Sequence, residues 1–410
     1  MSENNRSLSI CLTGYRSEPF SGGQGIYLKF LSKALVDAGH KVDVISGQPY
    51  PDLDERVRLI KLPGLNLFEE GLGSFRLKNL FSITDIIEWL GKLTGGFSEP
   101  YCFSRRLYKH LKSKKNKYDI IHDNQCLGWG ILKLQRKGFP VITTIHHPIT
   151  SDRDIAILNT DTFLMRIFIR RWYSFLKMQM TVASKLKYIL TVSKKSCEDL
   201  EKDFHLDKKN IHIIYNGIDT NLFRPIFYKN KDPYKVIVTA SSDQPVKGLK
   251  YLLLAFKKLT PKYPKLNLLV VGKLQSGGEI ESLIFKLDLE KKITFIHGIS
   301  SESLVEHYAL SSIAVVPSIY EGFGLPAAEA MACGIPVIST NGGALPEIVG
   351  EAGLIVPVKN SELIAYEIEK LIEDKSLRED LGLAGRKRIE ENFSWDVTAE
   401  KVAQLYKSII

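Results

Sequence analysis

Short runs of β-branched and apolar residues alternate with stretches of helical periodicity along almost the whole chain, and nothing else in the sequence restricts the fold as tightly. Such runs stand at Leu8–Leu12, Val42–Ser46, Asp119–His122, Val141–Ile145, Ile189–Val192 and Ile211–Ile214. A strand that is apolar on both faces and is followed by a helix is the unit of a parallel sheet. The series restarts at Val236–Thr239 and continues through Leu268–Val271, Ile293–Ile296, Ile313–Val316 and Val337–Ser339. Two α/β domains in succession are therefore expected, which suits 410 residues at roughly 100 to 200 per domain. Turn chemistry at Asn216-Gly217-Ile218-Asp219, then Arg224-Pro225 and Pro233, marks the connection near 217–234. In open sheets of this kind ligands bind beyond the carboxyl ends of the strands, so a cleft between two such sheets is the expected active site.

Charge is distributed unevenly. Residues 1–225 hold 34 Lys and Arg against 23 Asp and Glu, or +11, which leaves 22 against 23, or −1, for residues 226–410 of a chain whose net charge is +10. An anionic partner of the first half is implied. Five cysteines, odd in number and never in a C-x-x-C pair, fit neither a disulfide framework nor a zinc cluster and point to a reducing cytosol. The N-terminus lacks the pattern of a secretory signal, and no apolar run reaches the ~18 residues needed to span a bilayer.

The densest motif is Glu321-Gly322-Phe323-Gly324-Leu325-Pro326, followed by Glu329, directly after the buried-type run Ile313–Val316. Pro326 suits the first turn of a helix, where free N–H groups and the positive dipole end meet an anion. Glycines let a ligand approach the backbone, and a carboxylate one turn inside can accept from sugar hydroxyls. A solvated loop residue and a dipole-favoured helix residue would give the same spacing, which does not choose between the two. At the end of Val141–Ile145 stand His146 and His147, placed to reach a substrate hydroxyl or phosphate. Adjacent histidines seldom converge on one metal, and no further ligand is spaced to join them. Asp52-Leu53-Asp54 and Asp152-Arg153-Asp154 are D-x-D triplets, the first read as loop surface and the second as lining an acceptor side. Neither Gly22-Gly23-Gln24-Gly25 nor Lys247-Gly248 is a G-x-G-x-x-G fingerprint, which disfavours hydride transfer, and hydrolase elbows, zincin motifs and phosphate-binding Walker loops are missing.

Glu321-x7-Glu329 within Glu-Gly-Phe-Gly-Leu-Pro-Ala-Ala-Glu-Ala-Met-Ala-Cys-Gly-Ile-Pro-Val, with Asn216-Gly217-Ile218-Asp219 upstream and Gly342-Gly343-Ala344-Leu345-Pro346-Glu347 downstream, resembles glycosyltransferase family 4. The likeness extends over the chain, including Gly22-Gly23-Gln24-Gly25, Ala38–Val44 and Trp395. It implies an α/β GT-B fold, two Rossmann-like domains with parallel sheets facing across a central cleft. Residues 1–217 would form the acceptor-side domain and 218–393 the nucleotide-sugar domain, with a last helix at about 394–410 packing back onto the first. It also implies a hexosyltransferase-type enzyme of glycan or glycolipid synthesis, retaining at the anomeric carbon and needing no metal or other cofactor. Carried over, Glu329 binds the donor ribose, while Glu321 and the backbone of Gly322, Phe323, Gly324 and Leu325 hold sugar and diphosphate. Lys247 neutralises the diphosphate, His146, the active-site histidine, and Glu321 are the expected catalytic residues, and Gly22, Gly23 and Gly25 belong to a loop near the phosphates. The family places an arginine five residues before the lysine, where this chain has Ser242, taken as the donor-binding residue at that place. A hydroxyl does not replace a guanidinium's bidentate, charged grip on phosphate.

Thr162–Cys197 contains no acid and eight positive charges, interleaved with Phe163, Phe168, Trp172 and other apolar residues. Tyr101–Lys117 adds seven more, again without an acid. Stretches of this kind lie on anionic lipid, or else are ordinary domain helices with a basic outer face. The apolar region Leu65–Gly96 is a candidate acceptor-side lid. The expected partners are a nucleotide-sugar donor and a glycan or lipid-linked acceptor, reached from the cytoplasm with peripheral attachment to the membrane. A soluble acceptor, or a nucleotide-sugar epimerase on the same fold, are the alternatives. Nucleic acid is disfavoured, because no nucleic-acid module accompanies the basic half.

Overall fold

The computed structural model describes residues 6–18, 23–158, 160, 162–226, 231–242 and 244–410. The chain forms two compact units, one of residues 1–215 with 398–410 and the other of residues 216–397.

Seven parallel strands build the first sheet: β1 (Ser9–Gly14), β2 (Lys41–Ser46), β3 (Arg58–Lys61), β4 (Ile120–Asn124), β5 (Val141–Ile145), β6 (Ile189–Thr191) and β7 (Ile211–Ile213), in the order β3-β2-β1-β4-β5-β6-β7. The second has β8 (Lys235–Thr239), β9 (Asn267–Val271), β10 (Ile293–Ile296), β11 (Ile313–Val316), β12 (Val337–Thr340) and β13 (Leu354–Val356), in the order β10-β9-β8-β11-β12-β13. Every residue of β4, β5, β6, β11 and β12 is buried, as a parallel sheet covered by helices on both faces requires. Edge strands β3, β10 and β13 keep exposed residues, and β3 begins and ends on a charge, Arg58 and Lys61. That is why β3 carries no clear apolar run in the sequence, whereas β13, Leu354-Ile355-Val356, is apolar but only three residues long.

Strand order reverses between β1 and β4 in the first sheet and between β8 and β11 in the second. These are the switch points at which the loops after neighbouring strands part and leave room for a ligand. In the first unit Leu107, Ile121, Ile131, Val141 and Leu200 belong to one core; in the second Val238, Leu253, Phe256, Ile313 and Ile338 belong to another. The last helix, Trp395–Ile409, sends Tyr406 into the first unit, where its hydroxyl bonds His122 Nδ1.

Candidate active site

In the second unit, the loops after β8 and β11 meet at the switch point. Gly248 has φ +68° and approaches so closely that a Cβ there would lie 1.9 Å from the Pro317 carbonyl oxygen. Only glycine fits, by backbone conformation and by space. Val246 accepts a hydrogen bond from the Ile319 amide at 2.7 Å, so the two loops are tied backbone to backbone. This brings together Lys247 and Glu321: Lys247 Nζ donates to Glu321 Oε1 at 2.8 Å, and Ser318 Oγ donates to the same oxygen at 2.8 Å. The Glu321 carbonyl accepts from the Ala344 amide at 2.8 Å, next to Gly343, where a Cβ would strike that carbonyl.

Gly324, at φ +106°, is the N-cap of the helix Leu325–Ala332, with Pro326 in its first turn. Glu329 lies in this helix, and its carboxyl has no hydrogen-bond or ion-pair partner among the described residues. A narrow part of its side chain stays accessible, yet protein surrounds the carboxyl so closely that burial pushes its pKa up to about 8, against a smaller opposing pull from Lys247. Phe323 turns inward and meets Phe393 edge to face, leaving its backbone as the part available to a ligand. Ser242 is otherwise engaged: its hydroxyl donates to the Lys273 carbonyl at 3.0 Å and accepts from the Gln275 amide at 2.7 Å. It fastens the loop after β8 to the loop after β9.

In the first unit, His146 follows β5 and is fixed from three sides. Its amide donates to Gln125 Oε1 at 2.8 Å, its carbonyl accepts from Ser196 Oγ at 3.0 Å, and the Tyr27 ring meets its ring edge-on at 4.8 Å. His146 Nε2 lies 2.7 Å from Asn124 Oδ1, and Asn124 Nδ2 donates to the Gln24 carbonyl at 3.0 Å. Because the Asn124 amide nitrogen is committed, its oxygen faces the imidazole and must accept, which assigns the proton to Nε2 and leaves Nδ1 a bare lone pair. Burial pushes His146 down to about 3, with further lowering from His147 and His122, so the ring is neutral. His147 is oriented differently, with Nε2 at 3.3 Å from Asp152.

Support for Asn124 and Gln125 comes from Asp123, fully buried at the end of β4. It accepts from the Leu127 amide at 3.0 Å and from Thr13 Oγ1 at 3.3 Å, while burial pushes its carboxyl up to about 7. Gln125 and Leu127 take positive φ, so the chain turns sharply around this carboxyl. Asn124, Gln125 and Asp123 were missed in the sequence, where the β4 run was read to end at His122. Their signal is an Asp-Asn-Gln stretch continuing a strand.

Gly23 and Gly25 lie in the first turn of the helix Gly23–Asp37 instead of a preceding loop. A Cβ on Gly25 would sit 2.0 Å from the Glu18 carbonyl oxygen, whereas Gly23 has open space around it. Gly22 lies outside the described residues. Asp52 pairs with Lys29 and Asp54 with Arg56, so the first triplet serves surface ion pairs. Among the described residues no three His, Cys, Asp or Glu side chains gather where they could hold a metal ion.

The two parallel sheets are those of the GT-B fold, shared with the solved structures that superimpose on this chain. The chain belongs to glycosyltransferase family 4: the Glycosyltransferase Family 4 model matches residues 21–222, and that of Glycosyl transferases group 1 matches residues 223–388. It is 40% identical over 98% of its length, and 98% of the relative, to an MMP α-(1→4)-mannosyltransferase of Mycolicibacterium hassiacum. A D-inositol 3-phosphate glycosyltransferase of Rhodococcus jostii is 29% identical over 73% of this chain and 69% of its own. Among solved structures, sucrose-phosphate synthase from Thermosynechococcus elongatus superimposes with a TM-score of 0.73 at 24% identity, covering 98% of both chains. An Anabaena protein solved with UDP and glucose does so with a TM-score of 0.70 at 16% identity, covering 98% of this chain and all of its own.

Proposed function

We propose that the protein transfers a hexose, mannose in the first instance, from a nucleotide sugar to a hydroxyl of a glycan or lipid-linked acceptor, with retention at the anomeric carbon and without a metal. The observation that carries this is the Lys247–Glu321 pair beside Glu329, on loops joined at the switch point of the second sheet. A departing nucleoside diphosphate carries charge that must be stabilised, and Lys247, backbone amides and the N-terminal end of the helix Leu325–Ala332 can do so. Glu329 accepts from the ribose hydroxyls, Glu321 and the backbone of Gly322–Leu325 hold the sugar, and the Nδ1 lone pair of His146 accepts from a sugar hydroxyl. Mannose is suggested by the name of the relative at 40% identity. That name also records an α-linked product, which retention gives from an α-configured donor.

Attachment to an anionic membrane surface from the cytoplasmic side is the second part of the proposal. The helix Phe163–Trp172 has no buried residue, and Phe163, Leu164 and Phe168 are exposed beside Arg166, Arg170 and Arg171. It adjoins the apolar 65–96 region, where Lys92 lies over the Trp172 ring and Arg171 donates to Thr94, and Trp172 packs on Phe97 just beyond it. By contrast, the helix Glu99–Leu111 buries Cys102, Phe103, Leu107 and Leu111, so that basic stretch is a domain wall. No described helix is long and apolar enough to cross a membrane.

The test is incubation with a panel of nucleotide sugars, with and without mannose oligosaccharide or lipid-linked acceptors, in the presence of a chelator, reading the product's anomeric configuration by NMR. An α-product from an α-donor supports the proposal. A β-product refutes retention, and consumption of nucleotide sugar to its epimer without any acceptor refutes transfer.

A further inference from the structure

Away from these loops, the first unit carries a cavity of about 240 Å³ between the helices Glu99–Leu111 and Trp129–Arg136. The two helices touch closely at one point, where a Cβ on Gly130 would lie 1.8 Å from the Ser104 carbonyl oxygen. Beside this contact the side chains part. Arg105, Lys133 and Arg136 line the opening together with Tyr101, Tyr108 and Trp129, and no acidic residue does. None of the three cations has an ion-pair partner among the described residues, and Lys133 Nζ lies over the Tyr108 ring at 5.7 Å.

The neighbouring cations are treated differently. Arg106 is neutralised by both Asp85 and Glu88, and Arg16 by Glu99. Arg105 Nε, although shut off from solvent, has no hydrogen-bond partner. That sealed N–H does not face the cavity, but the three like charges around the cavity repel one another. The helix dipole favours Lys133 and Arg136 in the last turn of their helix but does nothing for Arg105 in the middle of its own.

We propose that this cavity binds a phosphate group carried on a small polyol, the phosphate held by Arg105 and Arg136 and the polyol body resting on the aromatic rings. A guanidinium fork matches phosphate geometry, and tyrosine and tryptophan offer both a ring face and a polar edge. The cavity lies below the ~300 Å³ at which pockets for drug-sized ligands begin, which suits one sugar ring with its phosphate. The same chemistry is offered by a soluble sugar phosphate and by the headgroup of an anionic lipid.

Calorimetric titration with glucose 6-phosphate, and sedimentation with vesicles of phosphatidylcholine and phosphatidylglycerol, separate these sources. The expected result is binding of one probe that weakens about tenfold or more in Arg105→Gln and in Arg136→Gln, while unphosphorylated glucose does not bind. Phosphate held elsewhere on the protein would survive both substitutions. Because each variant removes repulsion from the empty cavity, neither should melt lower than wild type. The proposal is overturned if neither probe binds, or if binding is indifferent to both substitutions.

Discussion

Asn124 should set both the tautomer and the basicity of His146, and Asn124→Asp isolates that role. Burial holds His146 near 3, some 3.5 units below the ordinary value of 6.5, which at 1.36 kcal/mol per unit makes protonation cost about 5 kcal/mol more than in water. The neutral amide at 2.7 Å accepts from Nε2–H and offers the imidazolium no counter-charge. A carboxylate in its place forms a charge-assisted hydrogen bond worth roughly 1.5 to 3 kcal/mol, so the pKa should rise by about 1 to 2 units. The same change places an anion against the Gln24 carbonyl, where Asn124 Nδ2 now donates, and Asn124→Ala controls for that loss. The assay is NMR of protein labelled at the histidine ring nitrogens, with His146→Gln identifying the resonances. Wild type should show Nε2–H with no titration above pH 5, and the aspartate variant a titration displaced upward, along with the acid limb of turnover. An Nδ1–H tautomer in wild type, or a pKa unmoved by the aspartate, would refute the reasoning.

Glu321→Gln should tighten nucleoside diphosphate binding about five- to tenfold by calorimetry, because Lys247 loses its carboxylate partner and meets the diphosphate uncompensated; unchanged or weaker binding would contradict this. Ser242→Ala removes the tie between the loops after β8 and β9 and should cost about 0.5 to 1.5 kcal/mol, read as a lower melting temperature. Glu329 binds its proton more tightly folded than unfolded, with a pKa of about 8 against 4.5. Stability should therefore fall as pH rises through that window, by at most about 1.4 kcal/mol per unit, and Glu329→Gln should flatten the slope. Replacing Arg166, Arg170, Arg171 and Lys177 with Gln should release the protein from anionic vesicles; failure of the wild type to sediment with them at low salt would sink the membrane proposal.

The alternating pattern made the two sheets legible because their central strands are apolar on both faces, so each reads as a continuous run. Edge strand β3 was invisible for the opposite reason: half exposed, it spends two of its four residues on charge. Glu321 and Glu329 stood out as candidates because helix starts and glycine turns have local chemistry, whereas Lys247 came only from the family resemblance. Their pairing could not, since Lys247 and Glu321 are 74 positions apart and meet only when β8 and β11 become neighbours. Asn124 escaped for a similar reason, because an asparagine after a strand has no meaning until β5 sets a histidine beside it. The basic stretches looked alike in sequence, and burial separates them: Leu107 and Leu111 face a core, whereas Phe163 and Phe168 face outward.

Ser242 changes how a diphosphate must be held on the proposed reading. Its hydroxyl is committed to the Lys273 backbone, so it does not stand in for the charge of an arginine. Lys247 is already shared with Glu321, and the raised pKa of Glu329 keeps that carboxyl largely protonated at neutral pH. The side chains at this switch point therefore sum to little net charge before the donor arrives. Stabilisation of the leaving phosphate then falls on oriented dipoles, the amides around Gly322–Leu325 and the N-terminal end of the helix they begin. Such groups are fixed by the fold and release no bound counter-charge. Donor affinity in this chain should accordingly depend less on ionic strength than it would with an arginine at 242, and Ser242→Arg should restore the steeper dependence.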